Sequence, residues 1–147
     1  MASEHDLPLE EYHRAGHEMT NGNPEVYKEL YSRSDDVTLA NPFGPPVRGW
    51  EAVSATLDRA ATKYQDGEVA GFENVSTVVG SDLAYIVEVE SYRARVGGAE
   101  EITPVAIRVT TAFRREEGSW KVLHRHGDPI TGSRPAESVI QAASDDG

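Results

Sequence analysis

The sequence contains no cysteine, which excludes disulfide bonds, thiolate catalysis and thiolate metal sites. Basic residues are also scarce: 14 Lys and Arg stand against 25 Asp and Glu, and the formal net charge is −11. A surface with that charge repels nucleic-acid phosphates and anionic membranes. We therefore expect neither a nucleic-acid partner nor a membrane partner.

Long apolar segments are missing too. Residues 1–14 are acidic and lack the apolar centre of a signal peptide, and no apolar run is long enough to span a bilayer. The sequence also lacks a glycine-rich phosphate loop, a Walker lysine and a Gly-x-Ser-x-Gly turn. We expect a cytoplasmic protein without a cofactor, a nucleotide site or a serine nucleophile.

The first half of the chain has the apolar spacing of helices. One helix is predicted to begin near Asp6 and to end at Thr20–Asn23, and Asn23 is a suitable N-cap for a second helix. A third helix is predicted after Gly49, with apolar residues at helical spacing from Trp50 to Tyr64. Between the second and third helices, Val37–Ala40 has the pattern of a short strand.

The second half has the pattern of four long strands, at residues 68–79, 83–96, 103–115 and 120–128. Helices followed by strands favour an α+β fold. Strands of this length curl, so we expect a cone-shaped antiparallel sheet with a mixed edge. The three helices would cover it and leave an interior pocket. Residues 1–132 are assigned to this domain and 133–147 to a tail that is partly disordered, mainly at 144–147.

Two parts of the sequence resemble a known family. Residues 34–44 (SDDVTLANPFG) and 47–52 (VRGWEA) are similar to the early half of a SnoaL-like domain, and residues 108–110 and 114–126 (RREEGSWKVLHRH) to its last hairpin. These domains belong to the nuclear-transport-factor-like superfamily, with ketosteroid isomerases, polyketide cyclases and kinase association domains. The resemblance implies the fold over roughly residues 7–130. It leaves the function open, because this fold serves enzymes and non-enzymes alike.

The resemblance makes Asn41 informative. In ketosteroid isomerases the matching position holds the aspartate that shuttles a proton, and an amide cannot accept one. Isomerisation by that route is therefore not expected, and Asn41 is a candidate ligand contact. The alternative is that Asn41 only forms an Asx turn into the proline loop that follows. The oxyanion tyrosine of the isomerases has no clear match, because Tyr12 is out of register.

His124 and His126 share one side of the last strand with Asp128. A His-x-His pair beside a carboxylate can bind a metal, and either histidine is a candidate catalytic base. The alternative, which we favour over a metal site, is a pair of half-buried histidines on an apolar face or at a subunit interface. We expect no metal.

Two arguments disagree about which sheet face lines the pocket. Strand alternation places His124 and His126 in the cavity, and places against the helices the apolar set Leu83, Tyr85, Val87, Val89, Ile107, Val109, Phe113, Trp120 and Val122. The resemblance instead implies that Thr110 and Leu123 line the pocket. The apolar set would then form an outer face, which the fold commonly buries in a homodimer. We adopt the second assignment.

In that assignment Arg108 and Arg125 reach the pocket and favour a carboxylate or another planar anion. The alternative is that they form ion pairs with Glu88 or Glu90 across the sheet. Phe43 and Trp50 are expected to wall the pocket mouth, and for Trp50 we favour ordinary core packing over a ligand-stacking role. Tyr85 is either a pocket donor or a core residue.

Two functions fit these observations. The first is a small-molecule pocket protein that resembles SnoaL-like and ketosteroid-isomerase-like proteins, with isomerase or cyclase chemistry by proton transfer at His124 or His126. The second is a non-enzymatic ligand-binding or association domain. The second requires inward-facing arginines and histidines at an interface.

Overall fold

A computed structural model describes residues 3–141 of the chain, so the disorder predicted for residues 144–147 lies outside the described residues. Three helices cover one face of an open six-stranded sheet. The helices are α1 (Leu9–Met19), α2 (Glu25–Leu30) and α3 (Trp50–Ala61). The strands are β1 (Thr38–Ala40), β2 (Val47–Arg48), β3 (Tyr64–Val79), β4 (Leu83–Val96), β5 (Thr103–Glu116) and β6 (Ser119–Asp128).

The sheet has the strand order β2-β1-β6-β5-β4-β3. All neighbours are antiparallel except β1 and β6, which run parallel. The predicted α+β class, the antiparallel meander of four long strands and the mixed edge are confirmed. Strand β2 was not predicted, because two residues are too few to show a periodic pattern.

The helices follow from local signals in the sequence. The first helix starts at Leu9, three residues later than predicted, because residues 4–6 form a separate 3-10 turn. The Asn23 side chain accepts a hydrogen bond from the Glu25 backbone N–H at 3.1 Å, at the start of α2. Helix α3 follows Gly49, whose φ of 91° favours glycine.

Bulges bend the long strands. The β3–β4 register shifts three times, between Gln65 and Glu68, between Val69 and Gly71, and between Asn74 and Ser76. An extra residue bends a strand and increases its twist. The sheet therefore has a concave face, against which the helices pack.

One further bulge decides the orientation of β6. Phe113 pairs with Val122 but Ala112 pairs with His124, so Leu123 is the extra residue. Before the bulge Trp120 and Val122 are buried on the helix side. After it the helix side is occupied by Arg125, opposite the buried Thr111 of β5.

The core lies between the helices and the concave face. Its largest fully buried side chains include Tyr12, Tyr31 and Phe113. Two acidic residues of β4, Glu88 and Glu90, are buried among them at 3% and 1% exposure. Buried carboxylates require partners, and the partners of Glu90 belong to the site described below.

The described part of the tail forms a short 3-10 helix at Ala136–Val139. Val139 and Ile140 are 87% and 71% exposed, so the tail does not pack on its own domain. Among residues 3–141, no helix has the length and apolar character needed to cross a membrane.

Candidate binding site

A cavity of about 60 Å³ lies between the helices and the concave face of the sheet. The wall combines apolar side chains with a few polar groups. The helices and the loop that follows α1 contribute Gly16, Met19, Thr20, Tyr27, Leu57 and Ala60. The sheet and the loop after β1 contribute Leu39, Asn41, Pro42, Phe43, Tyr64, Glu90, Tyr92, Val105, Ile107, Arg125 and Gly127.

A groove of about 330 Å³ lies next to the cavity. Asn41, Phe43 and Ala60 line both spaces. The groove is further lined by Thr56, Arg59 and Lys63 and by the proline loop. The side chains of Asn41 and Phe43 therefore stand between the cavity and the surface.

Arg125 and Glu90 are the charged residues of the cavity wall. Arg125 donates from two nitrogens to the two Glu90 oxygens, at 2.8 and 3.0 Å, and also donates to the Tyr12 hydroxyl. Tyr92 donates to Glu90 Oε1 at 2.8 Å. The side chains of Arg125 and Glu90 are only 12% and 2% exposed.

The charges of this pair are retained at neutral pH. Burial raises the pKa of Glu90, but the charge and hydrogen bonds of Arg125, with a hydrogen bond from Tyr92, outweigh burial and leave the pKa below its ordinary value. Burial lowers the pKa of Arg125, and the Glu90 charge outweighs that effect too. A carboxylate held in this way is a poor proton acceptor, because its lone pairs already accept three hydrogen bonds.

The tyrosines beside the ion pair differ in their hydrogen bonding. The Tyr12 hydroxyl is bonded to Thr111 and to Arg125, and burial raises the pKa of Tyr12 to about 12. Burial raises the pKa of Tyr27 well above its ordinary value. The Tyr27 ring lies 5.2 Å from the Arg125 guanidinium carbon, but its hydroxyl makes no hydrogen bond to another described residue. Tyr27 therefore brings an uncommitted, neutral hydroxyl to the cavity wall.

Three of the predicted site residues line the cavity: Asn41, Phe43 and Arg125. Asn41 also forms the Asx turn that was the alternative, since its side chain accepts the Phe43 N–H at 3.0 Å. Phe43 is 42% exposed and its ring lies 5.8 Å from that of Tyr64. Arg125 meets both expectations for it, because it borders the cavity and is paired with Glu90.

The expectation that Arg108 and Thr110 line the pocket is wrong. Ile107, Val109, Thr111 and Phe113 of β5 are buried on the helix side, so the residues between them point to the outer face. There Thr110 is exposed. Arg108 is also exposed there and donates to Asp128 at 2.7 Å.

Tyr85 belongs to the outer face as well. It is 42% exposed and pairs with Val78 of β3, which is 45% exposed. It is therefore neither a pocket donor nor a core residue. The apolar set is divided: its β4 members face outward, whereas its β5 and β6 members face the helices.

The candidate bases His124 and His126 also lie outside the cavity, because the Leu123 bulge turns them outward. His124 Nδ1 is 2.7 Å from the Thr38 hydroxyl, and burial, with a smaller effect of His126, lowers its pKa. The His126 side chain is 52% exposed and lies 3.3 Å from Asp128. Neither histidine can act as a base on a molecule in the cavity.

Leu123 and Trp50 complete the predicted set, and neither lines the cavity. Leu123 is the half-buried bulge residue, and the Trp50 ring packs on the core and against Arg33, 4.7 Å from the guanidinium carbon. Within residues 3–141 no three metal-binding side chains come together.

The sequence reasoning missed Glu90, Tyr27 and Tyr92 as cavity residues. Glu90 was considered only as a structural ion-pair partner. The alternation of β4 contained a signal, because the positions that alternate with Leu83, Tyr85, Val87 and Val89 include Glu88 and Glu90. That signal was ambiguous, because the neighbouring edge strand β3 is bulged and because the outer face of the sheet is also apolar.

Comparison with known proteins identifies the family. Residues 9–130 match the SnoaL-like domain. The chain belongs to the SnoaL-like family. No curated protein sequence matches this SnoaL-like chain.

Solved structures share the fold at low sequence identity. A nuclear transport factor 2-like superfamily protein from Salmonella enterica has a TM-score of 0.70 at 13% identity, covering 88% of this chain and 90% of its own. A candidate calcium/calmodulin-dependent protein kinase type II association domain from Thiobacillus denitrificans has a TM-score of 0.69 at 19% identity, covering 85% of this chain and 96% of its own. A ketosteroid isomerase-like protein from Erwinia carotovora has a TM-score of 0.65 at 18% identity, covering 84% of this chain and 88% of its own. Such identities establish the fold of the SnoaL-like chain and leave its activity open.

Proposed function

We propose that this SnoaL-like domain binds a small apolar molecule with a hydrogen-bond acceptor and that the cavity does not catalyse proton transfer. The observation that carries the proposal is the state of the polar groups in the cavity wall. Arg125 and Glu90 are bonded to each other, whereas the neutral hydroxyl of Tyr27 is uncommitted. A ligand carbonyl or hydroxyl is a suitable acceptor for that hydroxyl.

The cavity size restricts the ligand. A water-sized group needs about 10–15 Å³ of cavity volume, so the cavity of about 60 Å³ accommodates roughly four to six such groups. A short alkyl chain or a small ring system fits that limit. A larger molecule has to extend past Phe43 into the groove.

Isomerase or cyclase chemistry is the competing function. The relatives named ketosteroid isomerase-like and candidate dehydratase suggest it for the family, but proton transfer requires a base within reach of the substrate. His124 and His126 lie on the other face of the sheet, and Asn41 is an amide. Glu90 is held by Arg125, so the described residues offer no free base to the cavity.

Binding is tested with 1-pentanol and 2-pentanone, followed by ¹H–¹⁵N NMR. We expect shifts at Tyr27, Leu57 and Ile107 with millimolar affinity. Ala60→Leu places extra methyl groups in the cavity and should weaken binding at least about fivefold, a loss of about 1 kcal/mol. Ala55→Leu is the matched control, because Ala55 is exposed on the same helix.

A second pair of variants tests the hydrogen bond. Tyr27→Phe removes the uncommitted hydroxyl and should weaken 2-pentanone binding by about fivefold. Tyr31→Phe is its control, because the Tyr31 hydroxyl is buried and without a partner among the described residues and Tyr31 does not line the cavity. Equal effects of the two variants would contradict the assigned role of Tyr27.

Proton transfer is tested separately by dissolving 2-pentanone with the protein in D₂O. We expect no acceleration of deuterium exchange at the carbons beside the carbonyl. Acceleration that Ala60→Leu abolishes would show that the cavity is catalytic, and the binding-only proposal would then be wrong.

We also propose that the domain forms a homodimer through the outer face of the sheet. Leu83, Tyr85 and Val78 are exposed there, at 56%, 42% and 45%, and solvent-exposed apolar patches of this kind are typical of interfaces. Two fold relatives are named association domains. The cytoplasmic location, and the absence of a cofactor and of nucleic-acid partners, stay predictions from the sequence.

A further inference from the structure

Two cations line the groove next to the cavity. Arg59 is exposed in the last turn of α3, and Lys63 is half-buried just beyond that helix. Both line the groove, and neither forms an ion pair with a carboxylate among residues 3–141. No Asp or Glu among the described residues lines the groove.

That lining distinguishes the groove from the rest of a chain in which acidic residues outnumber Lys and Arg by 25 to 14. The groove is therefore a local positive region on a negatively charged protein. Such a region attracts anions, and most strongly where low-dielectric walls surround it.

The geometry holds Arg59 in place. Its guanidinium donates to the Thr56 hydroxyl at 3.0 Å, and that hydroxyl in turn donates to the Ala52 carbonyl at 2.8 Å. One side of the planar group is thus fixed while its other N–H groups remain available. The Lys63 ammonium lies 5.5 Å from the centre of the Phe43 ring, at the boundary between groove and cavity.

We propose that Arg59 and Lys63 bind the carboxylate of an apolar organic acid whose hydrocarbon part occupies the cavity. The placement of the hydrocarbon part rests on the function proposed above. Asn41, Phe43 and Ala60 line both spaces, so one molecule can occupy both by passing these side chains. A singly charged carboxylate is favoured over a doubly charged phosphate, because the net charge of −11 repels the dianion more strongly.

This role differs from the anion site predicted from the sequence. That prediction placed a carboxylate at Arg108 and Arg125, but both are already paired with carboxylates of the chain. The anion site moves to two cations that no sequence motif indicated.

The experiment compares pentanoate with 1-pentanol, which has a similar chain and no charge. Affinities are measured by ¹H–¹⁵N NMR titration in 20 mM NaCl for the wild type and for Arg59→Gln/Lys63→Gln. We expect the double variant to lose about tenfold in affinity for pentanoate and to bind 1-pentanol unchanged. Raising NaCl to 300 mM should weaken only pentanoate binding.

The matched control is Arg14→Gln/Arg93→Gln. It removes the same two positive charges at exposed positions that do not line the groove. Pentanoate affinity should change less than twofold in this control, because the remote charges act only through a screened field. Thermal unfolding of both double variants checks that each is folded.

The outcomes separate this inference from the proposed function. If 1-pentanol binds in the cavity but pentanoate binds no more tightly, or the groove variant behaves as the control, the carboxylate site is wrong and the cavity function stands. If pentanoate binds through Arg59 and Lys63 while neither compound shifts Leu57 or Ile107, the anion site stands and the cavity function fails. Binding of inorganic phosphate at the groove more tightly than pentanoate would overturn the choice of carboxylate.

Discussion

Arg125 places a positive charge inside the domain, and every group around it offsets the cost of burial. Glu90 binds it through two nitrogens. The rings of Tyr12 and Tyr27 lie 5.6 and 5.2 Å from its guanidinium carbon, within the range of cation–π contacts. Removing one partner from a buried ion pair costs more than removing both, because the remaining charge is left uncompensated.

Glu90→Gln is therefore expected to destabilise the domain by about 3–5 kcal/mol at pH 7. The side chain keeps its shape and can still accept hydrogen bonds, so the loss reports the missing charge. Urea unfolding gives the free energy. The double variant Glu90→Gln/Arg125→Met should be more stable than Glu90→Gln alone, and a double variant that is less stable would contradict this account.

The same pair predicts a pH dependence. The pKa of Glu90 is lower in the folded protein than its ordinary value of 4.5, so its stabilising contribution is complete above that value and is lost as the pH falls through the folded pKa. The difference in unfolding free energy between wild type and Glu90→Gln should shrink as the pH is lowered below about 4. A difference that stays constant down to acid unfolding would exclude ionic stabilisation by Glu90.

Among the elements, the contact between α1 and β3 depends on Gly67. The Gly67 carbonyl accepts from His17 at 3.0 Å and from Asn21 at 3.1 Å, and its N–H donates to the Asn21 side chain at 3.1 Å. These bonds require a close approach of the two backbones. A β-carbon on Gly67 would overlap the Thr20 side chain and lie 2.9 Å from the Thr20 backbone carbon.

Gly67→Ala is expected to lower the unfolding free energy by about 1–3 kcal/mol, because the helix end must move away from the strand. Gly71→Ala in the same strand is the control, since a β-carbon there meets nothing within 4 Å. Its stability should be unchanged or raised by up to about 1 kcal/mol. Thermal or urea unfolding measures both, and equal losses would show that the close approach is unimportant.

The strands show which features sequence patterns predict and which they do not. Alternation identified β4 and β5 and their ends within one residue. The same alternation gave the wrong side for Tyr85, because Glu88 and Glu90, which alternate with the apolar residues of β4, have their partners His13 and Arg125 on the helix side. In β6 the period of two breaks at Leu123, and no residue type marks the position of a bulge. Alternation along β6 therefore gave the wrong face for Arg125 and His126.

On the scale of the molecule, the fold was predictable because local patterns and the family resemblance agree. Three helical stripes precede four alternating strands, and the matched residues 9–130 cover both. The cavity residues were less predictable, since Tyr27, Glu90 and Arg125 come from α2, β4 and β6 and meet only in three dimensions. A site assembled from distant elements leaves no local motif in the sequence.

The outer face of the sheet carries the last prediction. Exposed apolar side chains on β3 and β4 would gain about 1.5–3 kcal/mol each on full burial, so we expect a dimer at micromolar concentration in sedimentation experiments. Leu83→Glu/Tyr85→Glu places two negative charges in that face and should give a monomer. Ile102→Glu/Val139→Glu makes the same change in charge at exposed apolar positions elsewhere, and should remain a dimer. A monomeric wild type, or dissociation by both variants alike, would show that this face is not the interface.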